Sequence, residues 1–334
     1  MGRSFSKAGR SLTALLALAC LCATLTFASC GGGSNGGGGE SGKPATVTVG
    51  VIPIADVAPL YVGIKQGFFK QEKLTIKPKL AEGGAAITAA VVSGDDQIGF
   101  SNVTSLLIAS SKNLPVQVLA QGVVGGPKPT AKDAWDGLLV KSDSPIKKPK
   151  DLEGKTVAVN NLNNVGPLTI NRTLEKAGVD YKKVKYTEVP FPEMNAAIDA
   201  GRIDAGWMVE PFVSQGLAAG ERPILYPFEA AIPNLTVATY FSSKQYIQKN
   251  GDVVDRFVRA INKSLEYAQS HPDGVRKVVP TYTKIPPKVA QKMHLPQWKS
   301  DLGMPTIEET SKLAQKYGFM KKQPDLGELV RQGG

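Results

Sequence analysis

The sequence predicts an α/β protein built as two doubly wound lobes, set behind a cleavable leader and a flexible tether. Three observations lead there. Short β-rich runs alternate with helical segments in two successive series, the pattern of helices covering both faces of a mostly parallel sheet. Helical sequence alone follows the second series. All three cysteines, Cys20, Cys22 and Cys30, fall at or before position 30. The body therefore has no disulfide framework, thiolate zinc cluster or cysteine nucleophile, and an ordinary apolar core must hold it together.

The leader comes first. Arg3, Lys7 and Arg10 precede an apolar run from Leu12 to Phe27, and Ala28-Ser29-Cys30 closes it. A basic head, an apolar stretch short of a bilayer span and small residues before a break describe a secretory signal over residues 1–29. The cysteine at the break resembles the lipid-bearing residue of bacterial lipoproteins, although Phe27 stands where those signals carry Leu. Cys30 is the expected lipidation site; an ordinary cleavage with an incidental cysteine is the alternative. Residues 30–43 are almost wholly Gly, Ser and Asn, a flexible tether with a mean span of roughly 20 Å at about 5–6 Å × √n. No strand precedes these glycines and no Gly-Lys-Ser/Thr closes them, so they are not a nucleotide loop.

In the first series, strands are expected at Val47–Ile52, Leu74–Ile76, Gln97–Phe100 and Val116–Ala120. Helices lie between them, around Leu60–Ile64, Ile87–Val91 and Leu106–Ala109, with Gly67 and Gly94 as stops and Ser101-Asn102 as a cap. The second series has strands at Gly137–Val140, Thr156–Val159, Val184–Val189, Ala205–Val209, Pro223–Tyr226 and Leu235–Tyr240. Its helices begin near Pro167 and Glu193 and end at Gly178, Ala200 and Gly220. A long amphipathic helix then runs from Val253 to Gln269, with shorter ones near Pro287–Met293 and Thr306–Tyr317.

Formal net charge is +11; the leader supplies three of these charges and no acid, which leaves +8 on the remainder. Such an excess suits anionic lipid, cell-wall polymer or an anionic ligand. The lysines are scattered without interleaved aromatics, which argues against nucleic acid. In open α/β sheets a ligand sits beyond the carboxyl ends of the strands. Those positions here are Pro53–Asp56, Gly83-Gly84, Ser101–Thr104, Gln121-Gly122, Asn160–Gly166 and Glu210-Pro211. Several begin helices, whose unpaired N–H groups favour a carboxylate, sulfonate, nitrate or phosphate-like group. Asp56 is either a ligand group or a helix cap. Glu210 either accepts from an amine or ring N–H or serves as a structural acid. Trp207 either packs in the core or stacks on the ligand.

Asp56-Val57-Ala58-Pro59-Leu60-Tyr61-Val62-Gly63-Ile64-Lys65-Gln66-Gly67-Phe68-Phe69 resembles the opening of one family. It is similar to the solute-binding proteins for nitrate, sulfonate, taurine and thiamine-pyrimidine precursors that serve ABC importers. Gly83-Gly84, Ser93–Phe100, Asp151–Ala158 and Ile203–Gly206 leading to Glu210-Pro211 fit the same family. The resemblance implies a type II periplasmic-binding-protein fold with a two-crossing hinge: lobe one at 44–136 plus 241–334 and lobe two at 137–240. It implies an extracytoplasmic protein that captures a small anionic, zwitterionic or pyrimidine-like molecule and delivers it to a permease with a cytoplasmic ATPase; the leader adds the lipid anchor, and a monomer is the default for a tethered carrier. It also implies pocket residues Asp56, Gly83, Gly84, Ser101, Asn102, Asn160, Asn164, Glu210 and Tyr240, with no catalytic residue, metal or cofactor. The cluster Asn160, Asn161, Asn163 and Asn164 departs from the Gly/Ser-rich turn of several such binders and leaves the ligand class open.

A sensory surface lipoprotein of the same fold is an alternative. A pyrimidine-precursor synthase is a weaker one. Those fungal enzymes resemble the family in fold but carry clustered cysteines, a catalytic histidine and pyridoxal phosphate. This chain has only His271 and His294, both read as surface or terminal residues, and shows no Gly-x-Ser-x-Gly or His-Glu-x-x-His.

Overall fold

The computed structural model describes residues 42–128 and 134–331. The leader, Cys30 and the tether before Gly42 lie outside the described residues. Each strand expected from sequence is present: β1 (Ala45–Val51), β2 (Leu74–Leu80), β3 (Ile98–Asn102), β4 (Val116–Val124), β5 (Asp136–Val140), β6 (Thr156–Val159), β7 (Lys185–Glu188), β8 (Ala205–Val209), β9 (Arg222–Leu225) and β10 (Thr236–Ser243). They form two five-stranded sheets, ordered β2-β1-β3-β10-β4 and β7-β6-β8-β5-β9.

The sheets are mixed rather than mostly parallel. β1 runs parallel to β2 and β3, whereas β10 is antiparallel to β3 and β4. Likewise β6 is parallel to β7 and β8, and β5 antiparallel to β8 and β9. The reversed strands, β5 and β10, are the two by which the chain enters one sheet from the other. Parallel neighbours need a helical crossover within one sheet, and a strand arriving from elsewhere is free of that constraint. All of β10 belongs to the first sheet, so the return passage precedes Thr236 rather than following the 137–240 boundary expected from sequence. Its apolar residues mark a strand but do not say which sheet it joins.

Helix stops follow the glycines. Gly94 and Gly220 adopt φ of 89° and 95°, the left-handed turn that a Cβ would strain. The long helix is Gly251–Ser270, and it buries Val254, Phe257, Val258, Ile261 and Leu265 as its periodicity requires. Phe257 meets Phe69 and Tyr240 at centroid distances of 5.6 and 5.7 Å, which ties this helix to the first sheet. Pro272 opens a further helix, Pro272–Val278, where sequence reading saw only a terminus. No helix among the described residues is long and apolar enough to cross a membrane.

The loops after β1 and β8 join directly. Ala55 N–H donates to the Glu210 carbonyl at 2.9 Å. A second bridge lies farther out, where the Tyr317 hydroxyl donates to Glu175 Oε2 at 3.0 Å.

Candidate ligand site between the two sheets

The carboxyl ends of β1, β3, β6 and β8 converge on an inner chamber of about 30 Å³. Asp56 and Asn102 line it from the first sheet, Asn160 and Asn164 from the second, and the rings of Phe100, Phe191, Trp207 and Phe228 complete it. That space admits no more than a few water molecules. It adjoins a vestibule of about 230 Å³ that shares Ile52, Ile54 and Phe191 with it and adds Leu80, Glu82 and Glu193. Together they form one crevice walled by both halves.

Asp56 supplies the chamber's titratable group. It lies in a short 3₁₀ turn, Ala55–Val57, and caps no helix, because Val57 occupies that position without a side-chain bond. Its carboxyl is 2 % exposed and Oδ1 has no partner. Burial pushes its pKa up to about 8. The backbone beneath it is held firmly. Trp298 Nε1 donates to the Asp56 carbonyl at 3.1 Å, and the Tyr282 hydroxyl donates to the Ile54 carbonyl at 3.0 Å. Tyr282 stacks on Tyr61 at 3.9 Å. A rigid platform thus carries a carboxyl with one uncommitted oxygen, an arrangement suited to a binding site.

The asparagines divide their capacity. Asn102 caps the helix Val103–Ser111 by accepting from Ser105 N–H at 2.9 Å. Asn164 Nδ2 donates to Asn160 Oδ1 at 2.8 Å and leaves its own Oδ1 unpartnered. Asn161 also has an unpartnered Oδ1. Its side chain packs on Gly83 from the opposite half so closely that any Cβ there would strike it. A Cβ on Gly84 would strike Ser101 Oγ and approach Asn102 Nδ2 to 2.9 Å. Gly83, Gly84 and the buried Ser101 thus shape the chamber's edge without lining it.

Glu210 and Tyr240 stand apart from the chamber. Glu210 accepts from Ser214 N–H at 3.0 Å, Ser214 Oγ–H at 2.8 Å and His294 N–H at 3.1 Å. It lines a groove of about 580 Å³ beside the helices Phe212–Ala219 and Pro287–Ala290. Burial pushes its pKa to about 7, and the geometry is that of a structural acid beside the junction. His294, read from sequence as a surface residue, sits in this junction with Nδ1 at 3.1 Å from the Ala134 carbonyl. Tyr240 is wholly buried, packed on Phe100 and Phe257 within the first half.

Sequence reasoning missed Asp136 and underweighted Trp207. Trp207 walls the chamber and donates from Nε1 to Asp136 Oδ2 at 3.1 Å, while Phe228 N–H donates to the same oxygen at 3.2 Å. Burial and the nearby Glu229 push Asp136 well above the usual carboxylate range. An acid opening an otherwise apolar strand was the available signal.

No group of three or more His, Cys, Asp or Glu among the described residues could hold a metal ion. A formylaminopyrimidine-binding protein of Halalkalibacterium halodurans is 26% identical over 232 residues, covering 66% of this chain and 65% of that protein. A 4-amino-5-hydroxymethyl-2-methylpyrimidine phosphate synthase of Aspergillus parasiticus is 24% identical over 233 residues, 64% of each. The chain thus spans just under two thirds of the length of these curated relatives. Among solved structures, the alkanesulfonate-binding protein SsuA of Xanthomonas axonopodis pv. citri, bound to MOPS, superimposes with a TM-score of 0.72 at 20% identity, covering 86% of this chain and 99% of that one. This likeness shows the bilobed periplasmic-binding-protein fold. The family profile described as NMT1/THI5 like matches residues 54–275, two thirds of the sequence, and the chain belongs to that family.

Proposed function

We propose that this protein is the extracytoplasmic solute-binding component of an ABC importer and that its guest is a small, flat ring bearing amino or ring N–H donors. One observation supports the ligand class above all. Among the described residues the chamber's only titratable wall residue is Asp56, whose Oδ1 has no partner, and no Lys, Arg or His lines the chamber. A sulfonate or nitrate would find no cation in this chamber to balance its charge. A donor-bearing ring would instead satisfy Asp56 and the free Asn164 oxygen, with Phe100, Phe191, Trp207 and Phe228 against its faces. The name of the Halalkalibacterium relative points the same way.

Capture needs no bond made or broken. The guest touches both halves, so it binds the closed arrangement better than the open one and shifts the population accordingly. The chamber at its present size is too small for a ring, so the halves would part to admit one and close on it less tightly than they do here. Lobe boundaries at the passages between β4 and β5 and between β9 and β10 suit such a hinge. We place a lipid on Cys30, the tether holding the body near a permease.

A thermal-shift and calorimetry panel tests this reading. Aminopyrimidines are expected to raise the melting temperature, by about 2.7 kcal/mol of stabilisation at a hundredfold excess over Kd. Taurine, alkanesulfonates and nitrate are expected to do nothing. The opposite ranking, or recovery of a chemically altered guest, would refute the proposal.

A further inference from the structure

Phe228 faces the chamber, but the next residue faces elsewhere. Glu229 lines a separate cavity of about 680 Å³, together with Lys128, Trp135, Arg276, His294 and Trp298. That volume falls within the range of small-molecule sites. The wall between the two spaces is aromatic, since Phe228 contacts Trp135 at 4.9 Å and Trp207 at 5.6 Å.

The polar groups of this second cavity are underused. Glu229 is 3 % exposed; Oε1 accepts from Gly126 N–H at 2.9 Å, while Oε2 has no partner. Trp135 is 1 % exposed, and its Nε1 donates to nothing. Arg276 Nε is likewise unpartnered. The guanidinium's contacts among the described residues are a 3.5 Å bond from Nη2 to the Met293 carbonyl and a long 3.6 Å ion pair with the exposed Asp273. Glu229 and Arg276 line the same space yet form no ion pair with each other. Buried polar groups normally find partners. Burial raises Glu229 above the usual carboxylate range, and an incoming ammonium would favour its ionised form, so the two side chains can serve as complementary ends for a molecule that carries both charges.

We propose that this cavity is a second binding site, distinct from the crevice, for a small amphoteric molecule. Its carboxylate would meet Arg276, its ammonium Glu229, and its apolar middle would lie between Trp135 and Trp298. Charge-assisted bonds at both ends give selectivity over molecules with one charge. Occupancy would also reach the first site, because Trp298 holds the Asp56 carbonyl.

The test titrates the protein with ω-amino carboxylates from β-alanine through γ-aminobutyrate to ε-aminohexanoate, read by calorimetry and tryptophan emission. Butyrate and butylammonium serve as single-charge controls. At least one amino carboxylate is expected to saturate at one site, with both controls weaker by about tenfold or more. Arg276→Gln and Glu229→Gln should each cost a similar factor, the glutamine still accepting from Gly126. Asp56→Asn should leave this binding intact, which separates it from the crevice. Should Glu229→Gln fail to fold, the more exposed Arg276→Gln still decides. No saturable binding, equal binding of the controls, or loss in Asp56→Asn but not in Arg276→Gln would overturn the assignment.

Discussion

Asp56 shows how one side chain sets the chemistry of a site. Its backbone is pinned by Trp298, yet its Oδ1 has no partner. With a pKa near 8 the carboxyl carries its proton at neutral pH. A guest that donates to it, or arrives as a cation, favours the ionised form and expels that proton. Binding at pH 7 should therefore release most of one proton, seen as a calorimetric enthalpy that varies with buffer ionisation heat. Asp56→Asn should abolish the release and weaken binding roughly ten- to hundredfold, the worth of a charge-assisted hydrogen bond. Release that persists in the variant would place the titrating group elsewhere.

At the scale of elements, the contact between Gly83 and Asn161 joins a helix start in one half to a loop in the other. Gly83→Ala would drive a methyl into the Asn161 side chain only when the halves meet. Affinity should fall by about tenfold, from an overpacking penalty of about 1–3 kcal/mol, with little change in the unliganded melting temperature. An equal loss of stability without ligand would show that the strain is local. Strand positions were legible because β-rich runs and glycine stops are local signals, and all ten strands were found from them. Strand direction was not, because β5 and β10 take theirs from where the chain has come from. The site was legible in part for the same reason. Asp56, Asn102, Asn160 and Asn164 follow strand ends and line the chamber. Glu210 also follows a strand end, but its oxygens are taken by Ser214 and His294, the latter distant in sequence. Tyr240 points into a core that only the assembled sheet and the helix Gly251–Ser270 create.

Across the whole molecule, the buried acids link stability to pH. Asp56 and Glu210 have pKa values raised to about 8 and about 7, and Asp136 is raised as well. A raised acid holds its proton in the folded state after the unfolded chain has lost it. Its stabilisation is complete below the ordinary carboxylate range and disappears as pH climbs through the folded value. Exposed Glu153, held low first by its hydrogen bond from Lys150, acts in the opposite sense, but solvent screens it. The unliganded melting temperature should therefore fall steadily from pH 5 to pH 8, and a flat or rising profile would contradict these burials. Bound guest should blunt the fall by giving Asp56 a partner.

The placement of β10 bears on how the molecule is made. It lies between β3 and β4, so it is the central rung that joins the outer strand to the rest of its sheet. β4 is complete by Val124, but the rung spans Thr236–Ser243. A chain emerging from its N-terminus must therefore leave this sheet divided until the whole intervening half has been synthesised. During that interval β3 and β4 present unsatisfied edges, a window for premature aggregation or for a chaperone's attention.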